Sequence, residues 1–203
     1  MNTNLSLLLL FLLSITLFSC NPNREYKNEV IGWRIRKHQL FLDPLESPLS
    51  QEAYNSFSGL SYFEVKPEFK MQGIFKERPL HEKIFLHNTK NEEPRSYWHM
   101  GQVEFTYDNK TVRLQVFSNK DSLTDLFIPF TDKSTGFETY ETGRYLETKV
   151  DNKNHIILDF NYAYNPYCAY NKEYSCTIPP PENNLSFKVL AGEKKFLPNK
   201  SID

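Results

Sequence analysis

The chain has 203 residues, and its 24 Lys and Arg against 25 Asp and Glu give a formal net charge of −1 at pH 7. This balance excludes the basic footprint that nucleic-acid binding requires. Aromatic residues are abundant, with 16 Phe and 12 Tyr, and we interpret them chiefly as the core of a β-rich fold, because aromatic side chains suit pleated, half-buried surfaces.

The N-terminal segment is nearly continuously apolar from Leu5 to Phe18 and is followed by Ser19 and Cys20. Its length is that of a signal-peptide core, whereas a bilayer-spanning helix needs about 20 apolar residues. An apolar run, a small residue and a cysteine resemble a bacterial lipoprotein signal peptide with its lipobox. The resemblance implies cleavage before Cys20 and lipidation of that cysteine. The alternatives are a short membrane anchor or a buried helix.

This interpretation predicts three segments. Residues 1–19 are the signal peptide, residues 20–24 are a lipidated tether, and residues 25–203 are one β-rich domain of ordinary size. We expect the protein to be attached to the membrane through the lipid on Cys20. The predicted location is the bacterial cell envelope, at the outer membrane and facing the periplasm.

The domain opens with apolar residues interleaved with basic ones up to Leu42, where Asp43-Pro44 interrupts the pattern. The pattern predicts an amphipathic helix. We expect it to cover one end of the core; the alternative is a basic face lying on anionic lipid beside the anchor.

Beyond this helix, short runs rich in β-branched and aromatic residues dominate. Turns are predicted at 108–110 and 151–154. Together the runs predict a single antiparallel β-sandwich or barrel-like domain with the helix packed outside. The predicted strands are 62–65, 69–75, 83–87, 97–107, 111–117, 126–130, 144–150, 155–160, 187–190 and 195–197.

Cysteine usage fits an extracytoplasmic location. Once Cys20 is assigned to the lipid, Cys168 and Cys176 remain, and an even pair in an oxidising compartment predicts a disulfide. Two free thiols or half of a metal site are the alternatives. The five histidines are scattered without ligand spacing, so we predict no metal site. Neither a phosphate-binding glycine loop nor another cofactor motif is present, and no cofactor is predicted.

Two stretches, 129–145 and 158–193, carry an unusual density of Gly, Pro, Asn, Asp and Tyr. The chain resembles here the bacterial family catalogued as domain-of-unknown-function family 1684, and the resemblance extends to Trp33 and residues 58–63. It implies no particular activity. The matching residues are Phe130, Asp132, Thr135-Gly136, Thr139-Tyr140, Gly143-Arg144, Asp159-Phe160-Asn161, Asn165-Pro166, Cys168-Ala169-Tyr170, Cys176, Pro180, Glu182-Asn183 and Ala191-Gly192-Glu193.

Within these stretches a polar-aromatic cluster is the candidate binding site. Arg144 can bind a carboxylate or phosphate through two parallel hydrogen bonds. The tyrosines could form the walls of a concave site. Internal ion pairs and backbone contacts would explain the same residues structurally. The candidate ligand-binding residues are Asp132, Arg144, Asp159, Asn161, Tyr164 and Glu182.

Three functions follow from this pattern. The leading hypothesis is a lipoprotein that binds a small polar ligand or a partner. A carboxylate-dependent hydrolase using Asp132, Asp159 or Glu182 is the second, and a purely structural envelope protein is the third. No Gly-x-Ser-x-Gly elbow is present, and catalytic residues stay unassigned.

Overall fold

The computed structural model describes residues 22–197, which form a mainly β fold with an N-terminal helix. Six antiparallel strands make one curled sheet, a half-barrel, so the predicted fold class is confirmed in its barrel-like form. The helices are α1 (Pro22–Leu42) and α2 (Gln51–Asn55), and the strands are β1 (Lys70–Leu86), β2 (Arg95–Tyr107), β3 (Lys110–Ser118), β4 (Leu126–Phe130), β5 (Arg144–Thr148) and β6 (His155–Asp159).

The sheet has the order β5-β4-β3-β2-β1-β6, so its two edge strands follow one another in the chain. The turn at 151–154 joins them, and a bridge pairs Val150 with Ile156. The Thr148 hydroxyl donates to the Ile157 carbonyl at 3.0 Å. The sheet therefore curls until its edges meet at this end, and it stays open elsewhere.

Both predicted turns are confirmed. Asp108 and Asn109 adopt φ of 48° and 56°, the left-handed pair that a tight hairpin between twisted strands requires. Asn154 adopts φ of 60° at the second turn. Asn and Asp tolerate this region because their short side chains bond locally.

The N-terminal part of the sheet differs from the prediction in one respect. Two predicted strands, 69–75 and 83–87, are parts of the single strand β1, whose pairing with β2 shifts register between Glu77 and Glu82. Gly101 lies opposite Glu77, and a Cβ there would come 2.2 Å from the Lys76 carbonyl oxygen. The stretch between Glu77 and Glu82 is polar and contains a proline, and its local sequence predicts a break in the strand. Pairing with β2 nevertheless keeps it within β1.

Three predicted strands are wrong. Residues 62–65 contribute one bridge, Tyr62 to Glu193, and residues 187–190 and 195–197 run as irregular backbone. The carbonyl groups of the 189–193 segment bind an arginine side chain instead of a neighbouring strand. Helix α1 ends at Leu42 as predicted, and it begins at Pro22, inside the segment that was assigned to the tether.

The main core fills the inner face of the half-barrel. Strand alternation places a second, aromatic cluster on the outer face. The inner core includes Met100, Val103, Leu114, Val116, Ile128, Phe130, Leu146, Ile156, Leu158 and Phe160. The outer cluster consists of Leu86, Tyr97, Phe117, Phe127 and Tyr145, with Ile84 and Tyr164 packed against it.

Candidate functional site

Arg144 and Asp132 form an ion pair inside the protein. Arg144 begins β5 on its inward side, and its Nη2 lies 3.0 Å from Oδ2 of Asp132, with side-chain exposures of 0% and 1%. The other Asp132 oxygen accepts from the backbone N–H groups of Ser134 and Val189 at 2.7 and 3.2 Å. Both predicted site residues are thus committed to internal partners.

The Arg144 guanidinium also organises the 189–193 segment. Nη2 donates to the Val189 carbonyl at 2.7 Å, and Nη1 donates to the carbonyls of Ala191 and Glu193. Burial lowers the pKa of Arg144, and the Asp132 charge opposes that shift. A ligand could reach this guanidinium only if the segment moved away.

Asp159 and Asn161, two further predicted site residues, bind α1 to the sheet. The Tyr26 hydroxyl donates to Asp159 at 2.7 Å, and the Asn161 amide donates to the Tyr26 oxygen at 2.9 Å. The same amide group donates to the Lys66 carbonyl, and its oxygen accepts from the Lys66 N–H. Burial and the Asp159 carboxylate raise the pKa of Tyr26, so its hydroxyl stays a donor.

Glu193 is a buried carboxylate with four partners, which we call the Glu193 network. Its Oε1 lies 2.7 Å from Nζ of Lys37 and accepts from the Tyr62 hydroxyl at 3.1 Å. Its Oε2 accepts from the Asn165 N–H and from the Tyr170 hydroxyl. The network joins α1, the 62–65 segment and the chain after β6.

Aromatic rings surround the Lys37 ammonium as well. It lies 4.8 Å from the ring centre of Tyr164, 5.6 Å from that of Trp33 and 5.8 Å from that of Phe41. Such rings attract cations through their negative faces. Lys37 is therefore held by both charge and rings, and it forms part of the floor of a groove.

This aromatic groove has a volume of about 820 Å³, within the range of small-molecule sites. It lies between the outer face of the sheet, α1 and the 166–177 segment. Its walls are Trp33, Arg36, Lys37, Leu40, Arg95, Tyr97, Asn119, Phe127, Tyr145, Glu147, Tyr164, Pro166, Tyr167, Tyr174, Ser175, Cys176 and Thr177.

Local structure explains why these side chains converge. Tyr145 and Glu147 project outward from β5 because Arg144 and Leu146 occupy the alternate, inward positions. The predicted disulfide between Cys168 and Cys176 is present and closes the 166–177 segment over this face. The position of one groove wall therefore depends on a covalent crosslink.

The groove tyrosines act as neutral donors. Burial raises the pKa of Tyr145, whose hydroxyl donates to the Thr177 carbonyl at 2.6 Å. Burial, followed by the charge of Glu147, raises the pKa of Tyr164, and its hydroxyl donates to Glu147 at 2.8 Å. At neutral pH neither ring adds negative charge to the groove.

Of the six predicted ligand-binding residues, Tyr164 lines the groove. Asp132 and Arg144 lie in the core, Asp159 and Asn161 contact α1, and Glu182 is exposed in the short 3₁₀ turn Pro181–Asn183. The three carboxylates proposed for hydrolysis share no hydrogen-bond partner among the described contacts.

Sequence reasoning did not select Lys37, Arg95 or Glu193 as site residues. Glu193 is the last residue of the Ala191-Gly192-Glu193 motif, one of the matches to the family, and that match could have marked it as a candidate. Lys37 and Arg95 carry no local signal, because α1 and β2 reach the groove only through tertiary packing.

Other kinds of site are not evident in the described part of the chain. Within residues 22–197, no three His, Cys, Asp or Glu side chains group as metal ligands would. Over the same residues, no helix has the length and apolar character to cross a bilayer. A second depression of about 780 Å³ adjoins the groove and shares Asn119, Phe127 and Glu147 with it.

The fold and its groove define a class of half-barrel proteins with a helix and a crosslinked segment on the outer face of the sheet. Residues 55–194 match the family described as "Protein of unknown function (DUF1684)", and the chain belongs to this family. The predicted family is confirmed, and its description assigns no activity.

One similar solved structure is the solution NMR structure of an uncharacterized protein from gene locus rrnAC0354 of Haloarcula marismortui. It is 31% identical, covers 85% of this chain and 96% of its own, and superposes with a TM-score of 0.68. This organism is an archaeon, so the fold is not confined to bacteria. No curated protein matches the chain.

Proposed function

We propose that this protein is a lipid-anchored envelope lipoprotein whose aromatic groove binds a small ligand with a flat apolar part and an acidic group. The observation that carries the ligand proposal is the groove wall itself, where seven aromatic residues accompany three cations and one carboxylate. The anchor proposal is carried by the apolar leader that ends at Cys20, outside the described residues.

The aromatic walls support binding of a flat apolar group. Trp33 on α1 and Tyr164 in the chain after β6 line the groove on one side. On the sheet, the rings of Tyr97 and Phe127 stack with their centres 5.4 Å apart. Stacked and edge-on rings bury large areas and place few demands on the partner's shape.

The charges support an acidic ligand. Lys37 is paired with Glu193, which leaves Arg36 and Arg95 as groove cations that face the single lining carboxylate, Glu147. Arg95 donates from Nη2 to the Ser175 carbonyl, and a guanidinium carries five donors, so others stay available. A carboxylate or phosphate suits such a fork better than a neutral group does.

The ligand proposal is tested with matched probes: 4-phenylbutyrate, 4-phenylbutan-1-ol and 4-phenylbutylamine, titrated into the mature protein and followed by NMR shifts. We expect the acid to bind most tightly. Arg95→Gln should weaken the acid about tenfold, as loss of a charged hydrogen bond does. The matched control is Arg113→Gln, an exposed arginine on β3 outside the groove.

Equal affinities of the acid and the alcohol would contradict the proposal that the ligand carries an acidic group. They would not contradict the proposal that the groove binds a ligand. Absence of shifts at groove residues with every probe would contradict the ligand proposal as a whole.

The anchor proposal is tested by mass spectrometry of the N-terminal peptide, which should carry a diacylglyceryl thioether on Cys20. Cys20→Ala should release the protein from membranes, whereas Asn21→Ala, which keeps the thiol, should not. An unmodified Cys20 or an uncleaved leader in the wild-type protein would contradict the anchor.

A further inference from the structure

The outward side of α1 carries three half-exposed apolar residues on one line, which also contains Asn28 and His38. Ile31, Ile35 and Leu42 are 46%, 55% and 44% exposed. At 3.6 residues per turn they fall within about 40° of one another around the helix axis. Arg24 lies on the same line, about two turns before Ile31. We call Ile31, Ile35, Leu42 and Arg24 the α1 stripe.

Carboxylates avoid the α1 stripe. Glu25 and Glu29 project about 100° or more away from it around the axis. Within residues 22–197 its three apolar side chains are about half exposed, and the stripe runs for most of a helix of 21 residues. Three apolar side chains and a terminal arginine are groups that a membrane interface binds, although α1 as a whole does not separate its apolar and polar residues into two faces.

The covalent chain determines what can cover this face. Only Asn21 separates Cys20 from the first residue of α1, so their Cα atoms lie within about 7 Å of each other. A lipid on Cys20 would therefore hold the start of α1 at the bilayer surface, and the stripe would need only a tilt of the helix to reach that surface.

The opposite side of α1 forms a wall of the aromatic groove. Trp33, Arg36 and Leu40 line the groove, and their mean direction is about 155° from the stripe around the axis. If the stripe rests on lipid, α1 stands between the bilayer and the groove.

Resting on the proposed lipid anchor, we propose that the α1 stripe lies on the membrane surface and that the groove consequently opens toward the aqueous compartment. The groove then takes a water-soluble acidic ligand and not a membrane lipid. The apolar side chains of the stripe add a second contact to the acyl chains, and Arg24 faces anionic headgroups.

The test uses the full, naturally lipidated protein in phosphatidylethanolamine–phosphatidylglycerol vesicles that contain a lipid with a nitroxide near its headgroup. A fluorophore is attached in turn to Ile35→Cys, Leu42→Cys and Leu40→Cys. Leu40 is the matched control, a 38% exposed leucine of the same helix on the groove side. We expect several-fold stronger quenching at positions 35 and 42 than at 40.

The outcomes separate the two proposals. Equal quenching at all three positions, with lipid present on Cys20, would overturn the orientation and leave the anchor intact. An unlipidated Cys20 would overturn both. Strong quenching at 35 and 42 combined with unchanged 4-phenylbutyrate affinity on vesicles and in detergent would support the orientation, whereas loss of binding on vesicles would contradict it.

Discussion

At the scale of single residues, Arg144 shows how one side chain can replace a strand. Its guanidinium binds three backbone carbonyls of the 189–193 segment and the Asp132 carboxylate in a solvent-free setting. An irregular segment can be buried only if its backbone polar groups find partners. Arg144 supplies these partners where a sheet would otherwise be needed.

Replacing Arg144 should therefore destabilise the fold. Arg144→Met leaves Asp132 buried without its cation and three carbonyls without donors, and we expect a loss of about 3–5 kcal/mol in the free energy of unfolding. Urea denaturation measures this loss. Arg113→Met, at an exposed ion pair, should barely move the midpoint. A change at Arg144 as small as that at Arg113 would contradict the structural role.

Gly192 is a second residue whose identity the fold requires. It adopts φ of +76°, and a Cβ there would lie 2.5 Å from the Ala163 carbonyl oxygen. Gly136 adopts φ of +84° with open space around it and is a matched control.

In both alanine variants backbone strain should lower the free energy of unfolding by about 1–2 kcal/mol, because L-residues disfavour positive φ. Gly192→Ala also meets steric overlap of a kind that costs about 1–3 kcal/mol more. Thermal and urea unfolding of the two variants measure the difference. Equal destabilisation would show that the close approach at Gly192 relaxes without cost.

At the scale of elements, the 166–177 segment is the most distinctive. It contains little regular structure, yet it forms one wall of the aromatic groove and is closed by the disulfide between Cys168 and Cys176. Its aromatic residues pack onto α1 and onto each other, as Phe41–Tyr170 and Tyr167–Tyr174 do. The crosslink compensates for the missing backbone ladder.

Removing the crosslink should loosen this wall. The double substitution Cys168→Ser and Cys176→Ser should lower stability by about 2.5 kcal/mol, the loop-closure entropy for so short a loop. It should also weaken 4-phenylbutyrate binding while the sheet remains folded. Urea unfolding measures the stability, an NMR titration measures the affinity, and amide hydrogen exchange should accelerate more in 166–177 than in β2 and β3. Uniform acceleration would contradict a local role.

At the scale of the whole molecule, buried hydroxyl groups connect the layers of the fold. Tyrosines from α1, the 62–65 segment, the sheet and the following turns donate to carboxylates and carbonyls. In each case burial is the main cause of a raised pKa. The tyrosines concerned are Tyr26, Tyr62, Tyr145, Tyr164 and Tyr170.

These shifts predict alkaline destabilisation. The unfolded chain ionises its tyrosines near pH 10, whereas the folded chain keeps these protons, so their stabilisation is complete below about pH 10 and is lost above it. Each such group adds up to about 1.4 kcal/mol per pH unit to the slope. Urea unfolding at pH 9, 10 and 11 measures it, and Tyr145→Phe should reduce the slope. A flat profile would contradict the protonated hydroxyl network.

Much of the fold was predictable from local patterns. Alternating apolar residues located β2 and β3, a continuous apolar run located β4, and an Asn-containing turn located the hairpin at Asp108, because these signals depend on near neighbours. The segment 187–190 was misassigned as a strand because its apolar pattern reports burial and does not show which group satisfies its carbonyls. The candidate residues were recognised as special, but the pattern could not separate Tyr164, at the groove, from Arg144, in the core.

The amino-acid sequence alone was enough to predict the fold class from its periodicity and the family from its motifs. It was also enough to predict the disulfide, from the even number of cysteines that remain after Cys20. It also supplies the prediction of a lipid on Cys20. The groove depended on long-range packing: α1, β2, β5 and the crosslinked segment contribute to it from positions far apart in the chain. Whether an arginine binds a ligand or a buried backbone is determined by which surfaces exclude water around it, and that becomes known only when the chain has folded.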